Sequence, residues 1–327
     1  MTLSAPDAKR HPLRGYLFIA SAAFLWAVSA ALGRAVFTGK LGLGSASFRP
    51  IEPLILSQAR TTFSLLVLFP VLAVSGGWRR IKLPPRDLLY CVVLGTLGVA
   101  VSNYFYYVAI QRTNVAIAIV LQYTAPVWVL LYVVLRGQQK LTGQKFAAVA
   151  LALVGIALVI DILKLRSGAN LRWDLYGIVA ALLASFSSAF YNVAGHDILA
   201  RYDRWRVLLW TLAAACAFWL VVNPPWKIAQ AHYVPAQWSF LFIFSMLSVL
   251  GPFSFYFLGL QYLEPSSAII ASCLEPVFSI LLAALLLGEG LRPIQLLGIC
   301  FVLASIVIVQ RPPRTARETP VAFDPME

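Results

Sequence analysis

The stretch LEPSSAIIASCLEPVFSILLAALLLGEG, from Leu263 to Gly290, decides the fold class of this chain. It is about 28 residues of nearly unbroken apolar sequence, and a helix that crosses a bilayer needs roughly 20 such residues. Near its middle stand one carboxylate, Glu275, and one proline, Pro276. A buried acid costs free energy in a membrane, and a proline removes an amide donor from the helix. Together they indicate a functional position near the bilayer midplane.

A second stretch repeats the first one 150 residues earlier, without a gap. TNVAIAIVLQYTAPVWVLLYVVL, from Thr113 to Leu135, places Pro126 on Pro276. In the same register Gln111 falls on Gln261. Matches between apolar residues are common among membrane helices, whereas paired prolines and glutamines in one ungapped register are not. The pattern therefore indicates an internal repeat.

The composition is that of a membrane protein. The chain is 60% hydrophobic and 12% charged, far from the balance of a soluble domain. Its net charge is +13, but the basic residues form short clusters between apolar runs. That distribution is typical of anchors beside a lipid bilayer and argues against a nucleic-acid partner. The four cysteines lie within apolar runs without metal-ligand spacing, so neither a metal nor a cofactor is predicted.

Ten apolar segments, separated by Pro, Gly and charged residues, predict ten membrane-spanning helices. Numbered one to ten in chain order, they cover residues 15–38, 53–76, 87–110, 113–135, 143–162, 174–195, 205–222, 236–260, 264–287 and 291–310. The predicted organisation is a cytoplasmic tail over 1–14, a first repeat over 15–162, a second repeat over 174–310 and a cytoplasmic tail over 311–327.

The loop charges predict the orientation. With both termini in the cytoplasm, the inner loops carry about twice as many Lys and Arg residues as the outer loops. Segments three to five superimpose on eight to ten, and segment one superimposes on six through pairs such as Gly15/Gly177. Because each repeat has an odd number of spans, the repeats must have opposite orientations. The sequence thus predicts an all-α integral membrane protein with ten transmembrane helices, arranged as two inverted five-helix repeats around a central cavity.

These residues also resemble a known family. LEPSSAIIASCLEPVFSILLAALLLGEGL, followed by QLLGICFVLASIVIV, resembles the signature of the EamA-type transporters of the drug/metabolite transporter superfamily. The copy TNVAIAIVLQYTAPVWV, together with Trp26 and Arg60, resembles the matching half of that signature. The resemblance covers about Gly15 to Gln310. It implies secondary transport of small metabolites, commonly export of amino acids or drugs across a bacterial inner membrane.

The first half departs from the family pattern at two places. Ala125 and Gln139 stand where the second half has Glu275 and Glu289. An argument that needs an acid in both halves therefore does not apply to this chain.

Polar and aromatic residues inside the spans are the candidates for a substrate cavity. Asn103 and Tyr107 are four residues apart and share a helix face. Serines also join membrane helices by hydrogen bonds, so packing is the alternative role for them. The candidates are Trp26, Asn103, Tyr107, Gln122, Tyr123, Ser188, Tyr191, Asn192 and Ser272.

The two repeated prolines are predicted to bend their helices. Pro126 and Pro276 cannot donate to the carbonyls four residues earlier, those of Gln122 and Ser272. The freed carbonyls either face the cavity, where a substrate ammonium can bind them, or are satisfied by a neighbouring helix.

Arg60 and Glu275 are the two charges that the sequence places deep inside spans at similar depth. Buried ions are normally paired, so a structural ion pair between them is feasible. We favour that interpretation because the family that the chain resembles shares the Glu-Pro pair across very different substrates. Two other roles for Glu275 stay open: counter-ion of a substrate amine, and carrier of a coupling proton.

The sequence predicts a non-enzymatic, multi-pass inner-membrane exporter of small organic metabolites, with amino acids as the first expected substrates and alternating access as the mechanism. A drug or nucleotide-precursor exporter is the alternative within the class. An intramembrane lipid-modifying enzyme would need a clustered His/Asp/Glu set at a span end, which the sequence lacks. A structural scaffold would not need an acid at the midplane. The oligomeric state is left open.

Overall fold

The computed structural model describes residues 12–37, 51–113, 115–138, 140–160, 174–287 and 292–310. Throughout these ranges the regular structure is helical, with no strand. The predicted all-α class is confirmed.

The first half contains segments one to five. Segment one is the helix Pro12–Phe37 and segment two is Pro53–Ile81. Segment three runs from Pro85–Val93 through a π-helical turn, Leu94–Ala100, into Val101–Arg112. Segment four is broken into Val115–Gln122 and Ala125–Leu135, and segment five is Gly143–Val159.

The second half repeats this plan. Segment six is Leu175–Leu199 and segment seven is Arg204–Val222. Segment eight runs from Pro235–Ser245 through a π-helical turn, Met246–Leu250, into Gly251–Leu260. Segment nine is broken into Pro265–Ser272 and Leu274–Leu287, and segment ten is Pro293–Gln310. A short helix, Pro225–Gln230, lies between segments seven and eight and was not predicted.

Helix starts follow local chemistry. Many helices have a proline in the first turn, where its missing N–H removes no helical hydrogen bond. Asp174 Oδ1 accepts a hydrogen bond from the Gly177 amide at 3.1 Å and caps segment six. Pro224 precedes and Pro225 begins the short helix between segments seven and eight, for the same reason.

Nine helical stretches within the described residues are long and apolar enough to cross a bilayer. Segment five is the tenth and the shortest, with 17 residues. At 1.5 Å per residue it is about 26 Å long, slightly less than the roughly 30 Å hydrocarbon core of a bilayer.

The first helix of each half packs against helices of the other half. Segment one contacts segments eight and nine of the second half, and segment six contacts segments three and four of the first. Segment two packs on segment seven, and segment five on segment ten. Each of these contacts between the halves thus has a counterpart under exchange of the repeats, as a two-repeat fold requires.

Two repeat-equivalent glycines allow the exchanged helices to approach closely. A Cβ at Gly15 would lie 2.6 Å from Leu263 Cγ, and one at Gly177 would lie 2.5 Å from Thr113 Cγ2. Neither position can hold a side chain without moving its neighbour. The start of segment one therefore rests against the connection between segments eight and nine, and the start of segment six against the end of segment three.

Candidate functional site

The site begins at the breaks in segments four and nine. Segment four stops at Gln122 and restarts at Ala125, while segment nine stops at Ser272 and restarts at Leu274. The new helix in each case has a proline in its first turn, and proline lacks the N–H that would continue the ladder. The prolines thus interrupt the helical hydrogen bonding of both spans, while the linking residues Thr124 and Cys273 keep right-handed helical dihedrals. Two half-helices begin inside the bundle.

Glu275 lies in the first turn of the half-helix Leu274–Leu287. The start of a helix carries partial positive charge from its unpaired amides, which stabilises a carboxylate there. The equivalent half-helix Ala125–Leu135 has no acid in its first turn. The chain therefore places one acid, rather than two, where the interrupted helices meet.

Tyr123 links the two broken helices across the halves. Its hydroxyl donates a hydrogen bond to the Glu275 carboxylate. Both residues lie deep in the bundle yet keep part of their surface accessible. Partly accessible side chains of this kind are what the predicted central cavity requires, and the internal space itself stays a prediction.

Arg60 enters the same region from segment two. Its Nη2 donates to Asn103 Oδ1 at 2.6 Å, and Asn103 Nδ2 donates to the Val99 carbonyl at 2.9 Å. The second bond fixes the amide so that its oxygen faces the guanidinium. Val99 belongs to the π-helical turn of segment three, so Asn103 connects that turn to the Arg60 guanidinium.

The direct ion pair between Arg60 and Glu275 is not formed. Arg60 is close enough to interact electrostatically with Glu275. Among the described residues, however, no nitrogen–oxygen contact within 4.0 Å joins them. Each charge instead has a neutral hydrogen-bonding partner, Asn103 or Tyr123. The predicted pair was feasible because the two residues lie at similar depth, but similar depth does not fix where two long side chains point.

One member of this site was missed by the sequence analysis. Tyr106 lies close enough to both Glu275 and Arg60 to interact electrostatically with them. Tyr107, the predicted residue, is half-buried and contacts the Tyr106 ring at a centroid distance of 5.8 Å. We refer below to Arg60, Asn103, Tyr106, Tyr123 and Glu275 as the charged cluster.

Trp26 and Tyr191 lie in a second group of side chains. The Tyr191 ring packs on Phe253, Tyr256 and Phe257 at 5.5–6.2 Å. The Trp26 ring contacts Phe253 and Tyr256, both at 5.5 Å. Tyr191 is 6% exposed, so in this conformation it is packed rather than facing an open space. We refer to these five residues as the aromatic cluster.

The two clusters are neighbours. Cys273, at the break in segment nine, interacts electrostatically with Tyr256 of the aromatic cluster and with Tyr123 of the charged cluster. Asn192 donates to the Tyr256 hydroxyl. The structure thus brings most of the candidates to adjoining regions around one helix break.

Three candidates have a more local place. Ser272 is 9% exposed and its hydroxyl donates to the Ile269 carbonyl at 2.7 Å, so its own helix satisfies it. Gln122 and Ser188 are half-buried, and within the described residues no hydrogen bond ties their side chains to the other candidates. A role for these three in substrate binding stays a prediction.

The π-helical turns are a feature that the sequence did not reveal. They occupy equivalent positions in segments three and eight. Each has a carbonyl that accepts a hydrogen bond from a helix of the other half: Trp26 Nε1 donates to Ser248 at 3.0 Å, and Ser187 Oγ donates to Leu97. Such turns often occur at functional sites. Hydrophobic periodicity does not reveal π-helical turns, because one inserted residue hardly changes the pattern of a segment that is apolar throughout.

Comparison with known families agrees with this architecture. The EamA-like transporter family matches the chain twice, over residues 13–161 and 175–311. The two matches together cover most of the chain and correspond to its two halves.

Individual relatives point the same way. The chain is 28% identical over 263 residues to the inner membrane transporter YedA of Escherichia coli, covering 79% of this chain and 81% of that protein. It is 26% identical over 279 residues to the threonine/homoserine exporter RhtA of Salmonella typhimurium, covering 83% and 89%. A crystal structure superposes with a TM-score of 0.73 at 17% identity, covering 93% of this chain and 98% of that one, which shows a common fold.

Ten helical segments in two repeats among the described residues, and a family match over both halves, lead to one conclusion. The chain belongs to the EamA-like transporter family of the drug/metabolite transporter superfamily and is a multi-pass inner-membrane transporter.

Proposed function

We propose that this transporter exports small organic metabolites, and amino acids in particular, by alternating access between its two halves. The observation that supports this most strongly is the charged cluster. It draws residues from both halves, lies at the breaks of segments four and nine, and keeps accessible surface deep in the bundle. Broken helices near the midplane are where transporters hold their substrates.

The amino-acid assignment draws on chemistry and on one relative. The cluster offers a positive and a negative group in one place, which suits a small molecule that carries both charges. RhtA, a threonine/homoserine exporter by name, is 26% identical to this chain. Relatives at that distance differ in substrate, so the assignment is a proposal for testing.

The test is a counterflow assay with purified protein in proteoliposomes. Vesicles loaded with one unlabelled amino acid are exposed to a trace of the same labelled compound, across a panel that includes drugs and nucleotide precursors. We expect accumulation of label for one or more amino acids. Accumulation of only a drug or a nucleotide precursor would replace the amino-acid assignment, and no accumulation for any compound would contradict the transport proposal.

The same vesicles test for a coupling proton. Net uptake is measured with and without an imposed pH gradient. If Glu275 carries a proton during transport, a gradient drives accumulation above the equilibrium level, whereas facilitated diffusion is unaffected by it.

A further inference from the structure

Arg60 and Glu275 are opposite charges that share a region but do not neutralise each other directly. Arg60 is bonded to the amide of Asn103, and Glu275 to the hydroxyl of Tyr123. Neither neutral partner can cancel a charge. In the part of the chain that the structure describes, no other ion pair is formed by either residue.

Both groups retain hydrogen-bonding capacity. A guanidinium has five N–H donors, and Asn103 accepts from one of its nitrogens. An ionised carboxylate accepts about four hydrogen bonds, and Tyr123 supplies one. Arg60 can therefore still bind a carboxylate through two parallel bonds, and Glu275 can still accept from an ammonium.

Leaving the two charges apart inside the bundle is costly, because each has lost hydration without gaining a counter-ion. The protein could remove this cost by direct pairing, and it holds Arg60 on Asn103 instead. A bound molecule with a negative and a positive end would supply both counter-ions at once. It would also leave the net charge of the site at zero, as it was before binding.

We infer that Arg60 and Glu275 form a two-point site for a zwitterion, with Arg60 binding the carboxylate and Glu275 the ammonium of an α-amino acid. This inference rests on the proposed function and adds which residue recognises which group. Tyr106 lies close enough to both residues to interact electrostatically with them.

The internal repeat does not provide a second copy of this site. Ala125 occupies the position equivalent to Glu275, so the inverted copy has no acid to bind an ammonium. We therefore expect one zwitterion per molecule, in one orientation, despite the pseudo-symmetry of the fold.

The experiment compares three compounds: the amino acid that the panel moves fastest, its amide, which lacks the carboxylate, and its N-acetyl derivative, which lacks the ammonium. Their affinities are measured for the wild type and for each variant by isothermal titration calorimetry on the purified protein, a binding measurement that does not require transport. Because a hydrogen-bonded contact to a charged group contributes about 1.5–3 kcal/mol, each derivative should bind about 10- to 150-fold more weakly than the amino acid.

Two variants then assign the ends. Arg60→Gln should weaken binding of the amino acid and leave binding of the amide unchanged. These two compounds should then bind with equal affinity, while the N-acetyl derivative should still bind more weakly than the amino acid. Glu275→Gln should weaken binding of the amino acid and leave binding of the N-acetyl derivative unchanged. These two compounds should then bind with equal affinity, while the amide should still bind more weakly than the amino acid. Arg60→Lys and Glu275→Asp keep the charges and should keep both distinctions at reduced affinity, which separates recognition from folding.

Arg136→Gln is the matched control, because Arg136 is exposed, lies over the half-buried Tyr132 ring at 5.6 Å and is not part of the charged cluster. It should leave all three affinities unchanged. If Arg60→Gln and Glu275→Gln weaken all three compounds by the same factor, the two-point site is wrong while amino-acid export still stands. If the wild type moves no amino acid, the proposed function fails and the zwitterion site fails with it.

Discussion

Tyr106 and Tyr107 show where residue-level prediction reaches its limit. The acid, the proline and the polar residues of segments three and four were visible in the sequence, and Asn103, Tyr123 and Glu275 do lie together. Residues three and four apart both share a helix face, so Asn103 pairs equally well with either tyrosine. The rotation that decides between them follows the π-helical turn before Val101, which the sequence did not reveal.

Single-cysteine labelling tests which aromatic residues face the internal space. Tyr107, Tyr123 and Tyr191 were all expected to line it, but Tyr191 is 6% exposed in the aromatic cluster. In a background with the exposed Cys300 replaced, we expect Tyr123→Cys and Tyr107→Cys to react with a water-soluble thiol reagent and Tyr191→Cys to react much more slowly. Equal protection of all three would contradict an aqueous space at the charged cluster.

The control for that experiment is the same background without an added cysteine. Cys91, Cys216 and Cys273 are buried and should stay unmodified. Rapid labelling at position 191 together with 107 and 123 would indicate that the aromatic cluster opens during the transport cycle.

At the scale of the elements, segments five and ten illustrate what composition cannot show. Both were predicted as spans, yet their close crossing depends on two glycines. A Cβ at Gly298 would lie 2.6 Å from the Val159 nitrogen and 2.7 Å from the Gly155 carbonyl oxygen. These contacts are with backbone, which cannot move aside as a flexible side chain can.

We therefore expect Gly298→Leu to separate the two helices and destabilise the protein. Overpacking of this kind typically costs about 1–3 kcal/mol. The measurement is the midpoint of thermal unfolding in detergent, followed by loss of the monodisperse peak. Gly143→Ala is the control, since a Cβ at that exposed position meets nothing within 4 Å. An unchanged midpoint for Gly298→Leu would show that the crossing is looser than described.

At the scale of the whole molecule, the sequence predicted the helical class and the repeat, because bilayer length and internal similarity are properties of long stretches. It did not predict that the first helix of each half packs on the other half. That exchange depends on close approaches at Gly15 and Gly177, which are tertiary contacts rather than sequence patterns.

The orientation of the molecule is a prediction from loop charges alone. A reporter fused after Arg314 should read cytoplasmic, and one inserted between Lys164 and Arg172 should read outside; both positions lie beyond the described residues. A cysteine or phosphatase reporter at each site measures this directly. If both sites report the same face, the two repeats are not inverted.

The central claim is that Arg60 and Glu275 serve transport rather than hold the fold together. Its most direct test is folded yield and amino-acid counterflow for Glu275→Gln, Arg60→Gln and the double variant, measured side by side. Because each charge has its own neutral partner, we predict near wild-type yield for all three, with transport abolished in each and not recovered in the double variant. Poor yield in the single variants that recovers in the double variant would identify a structural pair and contradict the claim.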